Sequence, residues 1–107
     1  MEVIVVYITF PTIESARQIG TVLVEKQLAA CVNLIPKVES IYEWDGETKN
    51  DQEVLALVKT TAGRFTQIEA AVKELHPYDT PEMIATEVKM GSESYLNWVQ
   101  DQMTGHH

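Results

Sequence analysis

The chain has 107 residues, enough for one domain around one hydrophobic core and too few for a two-domain enzyme. Sixteen Asp and Glu against eight Lys and Arg give a formal charge of −8, which opposes a phosphate backbone and argues against a nucleic-acid partner. The lone Cys31 cannot close an internal disulfide and no apolar run approaches the ~20 residues of a membrane span, so a soluble cytoplasmic protein with no membrane partner is expected.

Val3 to Ile8 is a nearly unbroken, β-branched apolar run stopped by Pro11, which predicts a buried strand. Thr12 then caps a helix with Glu14 in its first turn. Ala16, Ile19, Gly20, Leu23 and Val24 recur on one helical face, opposite Glu14, Arg17, Gln18 and Glu25. From Ala29 to Glu47 the pattern turns extended, with a break at Pro36 that predicts a bulge. Asp45-Gly46 and Lys49-Asn50-Asp51 read as turns, and Glu53 to Thr60 resumes as a strand, so the pair forms a long hairpin. Thr61 caps a second helix whose apolar stripe is Phe65, Ile68, Val72 and Leu75, ending before Pro77. Met83 to Met90 is a further strand. Gly91-Ser92 stops it and starts a terminal helix carrying Tyr95, Leu96, Val99 and Met103.

The resulting order, βαββαβ plus a C-terminal helix, is that of an α+β ferredoxin-like domain with two helices on one face of an antiparallel sheet. One domain over residues 1–104 is expected, with Gly105-His106-His107 an appended tail kept out of any site. The strands are apolar on both faces: Val3, Val5 and Tyr7 alternate with Ile4, Val6 and Ile8, and Val54, Ala56 and Val58 alternate with Leu55 and Leu57. A lone subunit would leave one such face wet, so a closed homo-oligomer is predicted.

The densest chemistry is His76-Pro77-Tyr78-Asp79-Thr80-Pro81-Glu82, a stiff polar connection between helix and strand. His76 is the metal-ligand candidate, for Cu or Zn, with Asp79 or Glu82 adding oxygen donors; equally, it is a helix C-terminal histidine meeting the last carbonyls. Lys59, at the end of an apolar strand, either neutralises an anionic ligand or pairs with Glu82 across subunits. Trp44 and Tyr42 line a pocket or fill an interface. Tyr78 orients His76 or anchors its loop. Cys31, among Ala29, Ala30 and Val32, reads as a small core hydrophobe.

Several blocks, in this order, resemble one family: Leu28-Ala29-Ala30-Cys31-Val32-Asn33-Leu34-Ile35-Pro36, Ser40-Ile41-Tyr42-Glu43-Trp44-Asp45-Gly46-Glu47, Val58-Lys59-Thr60-Thr61, His76-Pro77-Tyr78-Asp79-Thr80-Pro81-Glu82 and Tyr95-Leu96-Asn97-Trp98. Together they are similar to the CutA family, the divalent-cation tolerance proteins. The resemblance implies a homotrimer of ferredoxin-like subunits, similar to PII signalling proteins, whose long hairpins extend sheets across subunit borders. It also implies a part in tolerance of copper and other divalent metals. Some bacterial relatives resemble metal binders through a cysteine near the end of the first strand and a His-His pair before Pro-Tyr. Ile8 and Leu75 stand at two of those positions here, leaving His76.

Three classes of function follow. One is a non-enzymatic trimer binding a metal ion or small ligand at inter-subunit clefts near His76, Tyr78 and Glu82, with Lys59 and Trp44 contributing and no metal needed for folding. A second is a hydrolase or isomerase pairing His76 with Asp79 or Glu82; the absence of a phosphate loop, nucleophile elbow or two-histidine zinc motif argues against an enzyme. The third is a structural or signalling protein, related to PII, without direct metal binding.

Overall fold

Alternation of branched apolar residues makes the first strand, and in the computed structural model, which describes residues 2–104, that strand is β1, Val3–Phe10. It is followed by α1 (Ile13–Glu25), β2 (Cys31–Trp44), β3 (Glu47–Thr61), a 3₁₀ turn (Ala62–Arg64), α2 (Phe65–Leu75), β4 (Met83–Glu87) and α3 (Glu93–Thr104). The strands form one sheet in the order β2-β3-β1-β4, every neighbouring pair antiparallel. The fold is therefore mixed α+β, a four-stranded antiparallel sheet with three helices. The expected terminal tail, 105–107, lies outside the described residues.

Thr12 caps α1 as expected, its Oγ1 accepting from the Ser15 amide at 3.1 Å. Ala16, Ile19, Gly20 and Leu23 are buried by that helix, whereas Val24 is exposed at its edge. Together with Ile68 and Val72 of α2 they cover Val6, Ile8 and Phe10 of β1 and Val54, Ala56 and Val58 of β3, forming the main core. Leu75, expected in that stripe, is 40% exposed because α2 ends there and the chain turns away.

Pro36 marks a bulge, as predicted: the β2–β3 register slips between Ile35 and Val38, and Lys37 takes a positive φ of 64°. The hairpin turn is Asp45-Gly46, both at positive φ, which is the geometry a two-residue turn requires. Lys49-Asn50-Asp51 was expected as a second turn and is instead strand, paired with Tyr42, Ile41 and Ser40. Local turn propensity is overridden there by continuous pairing with the opposite arm. Two further boundaries move. Thr61 precedes the 3₁₀ turn without a side-chain capping bond, so α2 starts later, at Phe65. β4 stops at Glu87 rather than Met90, where its pairing with β1 runs out at Ile4.

The second face of the sheet is clothed differently. Across it, Tyr7 lies opposite Leu57 and Ile84, and Ile35 lies opposite Leu55, two residues from Leu57 on the same face, so an apolar band reaches all four strands. Val5, Tyr7, Leu55 and Leu57 are only half-buried, and Ile35 and Ile84 are 42% and 60% exposed. Helix α3 packs at one end of β1 and β3, where Val3, Val99 and Met103 are buried apart from the main cluster. There the Thr60 hydroxyl touches the Met103 sulfur at 3.3 Å and Arg64 donates to the Met103 carbonyl. The rest of the band has no cover among the described residues.

Candidate functional site

The polar connection expected at 76–82 forms one wall of a cleft of about 690 Å³. Its opposite wall is the bulged arm of β2. Tyr78, Asp79, Thr80 and Glu82 face Ser40, Ile41, Tyr42 and Trp44, with Thr9 and Glu53 between them. The site thus unites Trp44, Tyr78 and Glu82, as anticipated, but not Lys59.

Two prolines and a histidine set the first wall. α2 ends at His76, whose amide donates to the Val72 carbonyl at 2.7 Å while its own backbone turns extended before Pro77. The imidazole is buried and stacks on Phe10 with centroids 4.9 Å apart. Its Nδ1 accepts the Tyr78 amide at 3.0 Å. That pairing puts the ring proton on Nε2, which donates to the Thr9 carbonyl at 2.7 Å. His76 therefore ties the end of β1 to the loop after α2, and neither nitrogen keeps a free lone pair. The geometry supports a structural role for this side chain, but the carbonyl it meets is that of Thr9 on β1 and not one of the last carbonyls of α2, as the sequence suggested.

Tyr78, held by that amide, sends its hydroxyl to Glu53 at 3.1 Å. Burial, then the Glu53 hydrogen bond and charge, push its phenol up to about 12. Tyr42 donates to Asp51, the diagonal neighbour two residues past its partner Lys49, and that bond raises its phenol too. Glu53 was legible only as the first residue of a strand. In the fold Glu53 lies midway along β3, opposite Val38 next to the bulge, where its carboxylate meets the Tyr78 hydroxyl.

Because the folded phenol of Tyr78 titrates above its ordinary value, its contribution to stability is complete below about pH 10 and disappears as pH climbs through about 12. Unfolding measured from pH 9 to 12 is expected to show a steeper loss for the parent than for Tyr78→Phe. Equal slopes would mean that the phenol is not shielded.

Lys59 sits elsewhere, half-buried opposite Val5 and Cys31 and donating to the Asn33 side-chain oxygen. Glu82 enters β4 beside Met83, which pairs with Ile8 at the far end of β1, so one subunit does not join the two. Cys31 is partly exposed rather than sealed in the core, its thiol lying near Asn33 and against Tyr95.

A copper or zinc ion needs several converging nitrogen, sulfur or oxygen donors. Among the described residues no group of three or more His, Cys, Asp and Glu side chains offers that, and the His76 nitrogens are both engaged. The residues of one subunit do not fit such a metal. Nor is any described helix long and apolar enough to cross a membrane.

An open apolar sheet face lies beside a cleft of aromatic rings and carboxylates in this small α+β domain. Its relatives make the assignment narrower. A family model described as CutA1 divalent ion tolerance protein matches residues 4–102, and the chain belongs to that family. It is 50% identical over 97 residues to the divalent-cation tolerance protein CutA of Thermus thermophilus, covering 91% of this chain and 94% of that one. Mouse protein CutA is 44% identical across 87% of this chain, which spans only 52% of the mouse protein. In structure, the chain is similar to crystalline CutA1 of Oryza sativa, with a TM-score of 0.93 at 37% identity over 95% of this chain and 94% of that one.

Proposed function

We propose that the chain forms a cytoplasmic homotrimer of ferredoxin-like subunits and serves divalent-cation tolerance as a non-enzymatic binding protein, taking a small ligand at clefts completed by neighbouring subunits. The observation that carries this is the apolar band of Tyr7, Leu55, Leu57, Ile35 and Ile84, uncovered within the chain and continuous with the strands that frame the cleft. Burying such a band at ~25 cal/mol per Å² favours sharing it between copies. The single thiol, with no internal disulfide partner, supports the compartment proposed.

A small ligand is preferred to a resident metal because His76 is already committed to Thr9 and Tyr78. That same observation favours a second form of the proposal, in which metal tolerance is indirect and the trimer signals like a PII protein. A thermal-shift series with EDTA, Cu²⁺, Zn²⁺ and a panel of small metabolites tests both. EDTA is expected to leave Tm within about 1 °C. A cleft ligand at a hundred times its Kd is expected to add about 2.7 kcal/mol of stability, and Trp44→Ala is expected to abolish the gain. A metal-dependent gain that vanishes in His76→Ala, with no response to any small molecule, would reverse the assignment.

A further inference from the structure

We propose that the cleft selects an organic ammonium ion, a small molecule whose positive nitrogen is dressed with alkyl carbon. The inference rests on the cleft reading above and names the chemistry that fits it. Three aromatic rings, Tyr42, Trp44 and Tyr78, and three carboxylates, Glu53, Asp79 and Glu82, line the space, and among the described residues no Lys, Arg or His does. A volume of about 690 Å³ is that of a small-molecule site and far exceeds one bare ion. Anions meet only negative charge on the walls that this chain supplies. Among the described residues inorganic cations find no convergent donor set. An alkylated ammonium, in contrast, gains from ring faces and from carboxylates at once.

Both tyrosines are tethered so that their rings serve as surfaces. The Tyr78 hydroxyl donates to Glu53 and the Tyr42 hydroxyl to Asp51, which fixes each ring and keeps it an uncharged phenol. Both phenols are shifted above their ordinary value, Tyr78 first by burial and Tyr42 first by its Asp51 hydrogen bond, with the charges of Glu53 and Asp51 adding to each. Trp44, beside the Asp45-Gly46 turn, is 64% exposed and presents the richest ring of the three at the cleft.

Titration of the assembled protein with (2-hydroxyethyl)trimethylammonium and with its uncharged isostere 3,3-dimethylbutan-1-ol, read by calorimetry and tryptophan fluorescence, tests the proposal. The charged probe is expected to bind at least tenfold more tightly than the isostere. Trp44→Leu and Glu82→Gln, both at exposed positions, are each expected to weaken it about five- to tenfold. Equal binding of the two probes overturns the ammonium assignment and leaves a plain apolar cleft. Binding of neither, alongside saturable binding of ATP or Zn²⁺, overturns it while sparing the cleft as a site. No saturable signal from any of the four overturns both.

Discussion

Leu57→Lys is expected to break the assembly and lower Tm by roughly 15 °C or more, although Leu57 is only half-buried in one chain. It lies in the middle of the uncovered face, opposite Tyr7 on one side and Asn33 on the other. In a lone subunit a lysine there would lay its stem along the sheet and lift its ammonium into water, costing under about 1 kcal/mol. Between packed sheets the same ammonium is buried without a partner, at a cost of several kcal/mol in every subunit. A domain of this size loses about 4–8 °C per kcal/mol. Sedimentation velocity and calorimetry on the variant read both consequences. A normal mass with a Tm change of only a few degrees would place Leu57 at a surface open to solvent.

His76→Ala is expected to cost about 3–4 kcal/mol. Two hydrogen bonds are lost, each worth about 1 kcal/mol, and the Thr9 carbonyl and Tyr78 amide that made them are stranded. The stack on Phe10 goes as well, worth about 0.5–1.5 kcal/mol, and the imidazole leaves a cavity beside the main core. Chemical denaturation of parent and variant gives the difference directly. If His76 served only as a ligand to a metal, its removal would leave unfolding of the metal-free protein unchanged.

Why one of these residues could be read correctly from sequence and the other only in part is instructive. The open face was legible because alternation in a strand reports both faces at once: Val5 and Tyr7 are apolar, as are Val6 and Ile8, and no pattern of one covered sheet demands that. The bulge at Pro36 and the cap at Thr12 were legible for the same kind of reason, each being a local backbone requirement. His76 was recognised as important, but its two readings differ only in where the lone pairs point. That depends on Thr9, 67 residues earlier, and on an amide two residues later.

Non-local contacts explain the other differences. Lys49-Asn50-Asp51 has turn composition, yet Tyr42, Ile41 and Ser40 hold it in a strand. Lys59 and Glu82 looked like partners because both flank apolar strands, but within one subunit β1 lies between their strands, with Lys59 level with Val5 and Glu82 beyond Ile8. Glu53 escaped notice because a carboxylate at the start of a strand is ordinarily solvated; only the fold brings the Tyr78 hydroxyl against it.

Everything proposed for the cleft depends on copies of the chain covering the uncovered band. Light scattering coupled to size exclusion, run at micromolar concentration on the parent protein, measures this most directly. A single species with the mass of three chains is the predicted result; a folded species with the mass of one chain would contradict it.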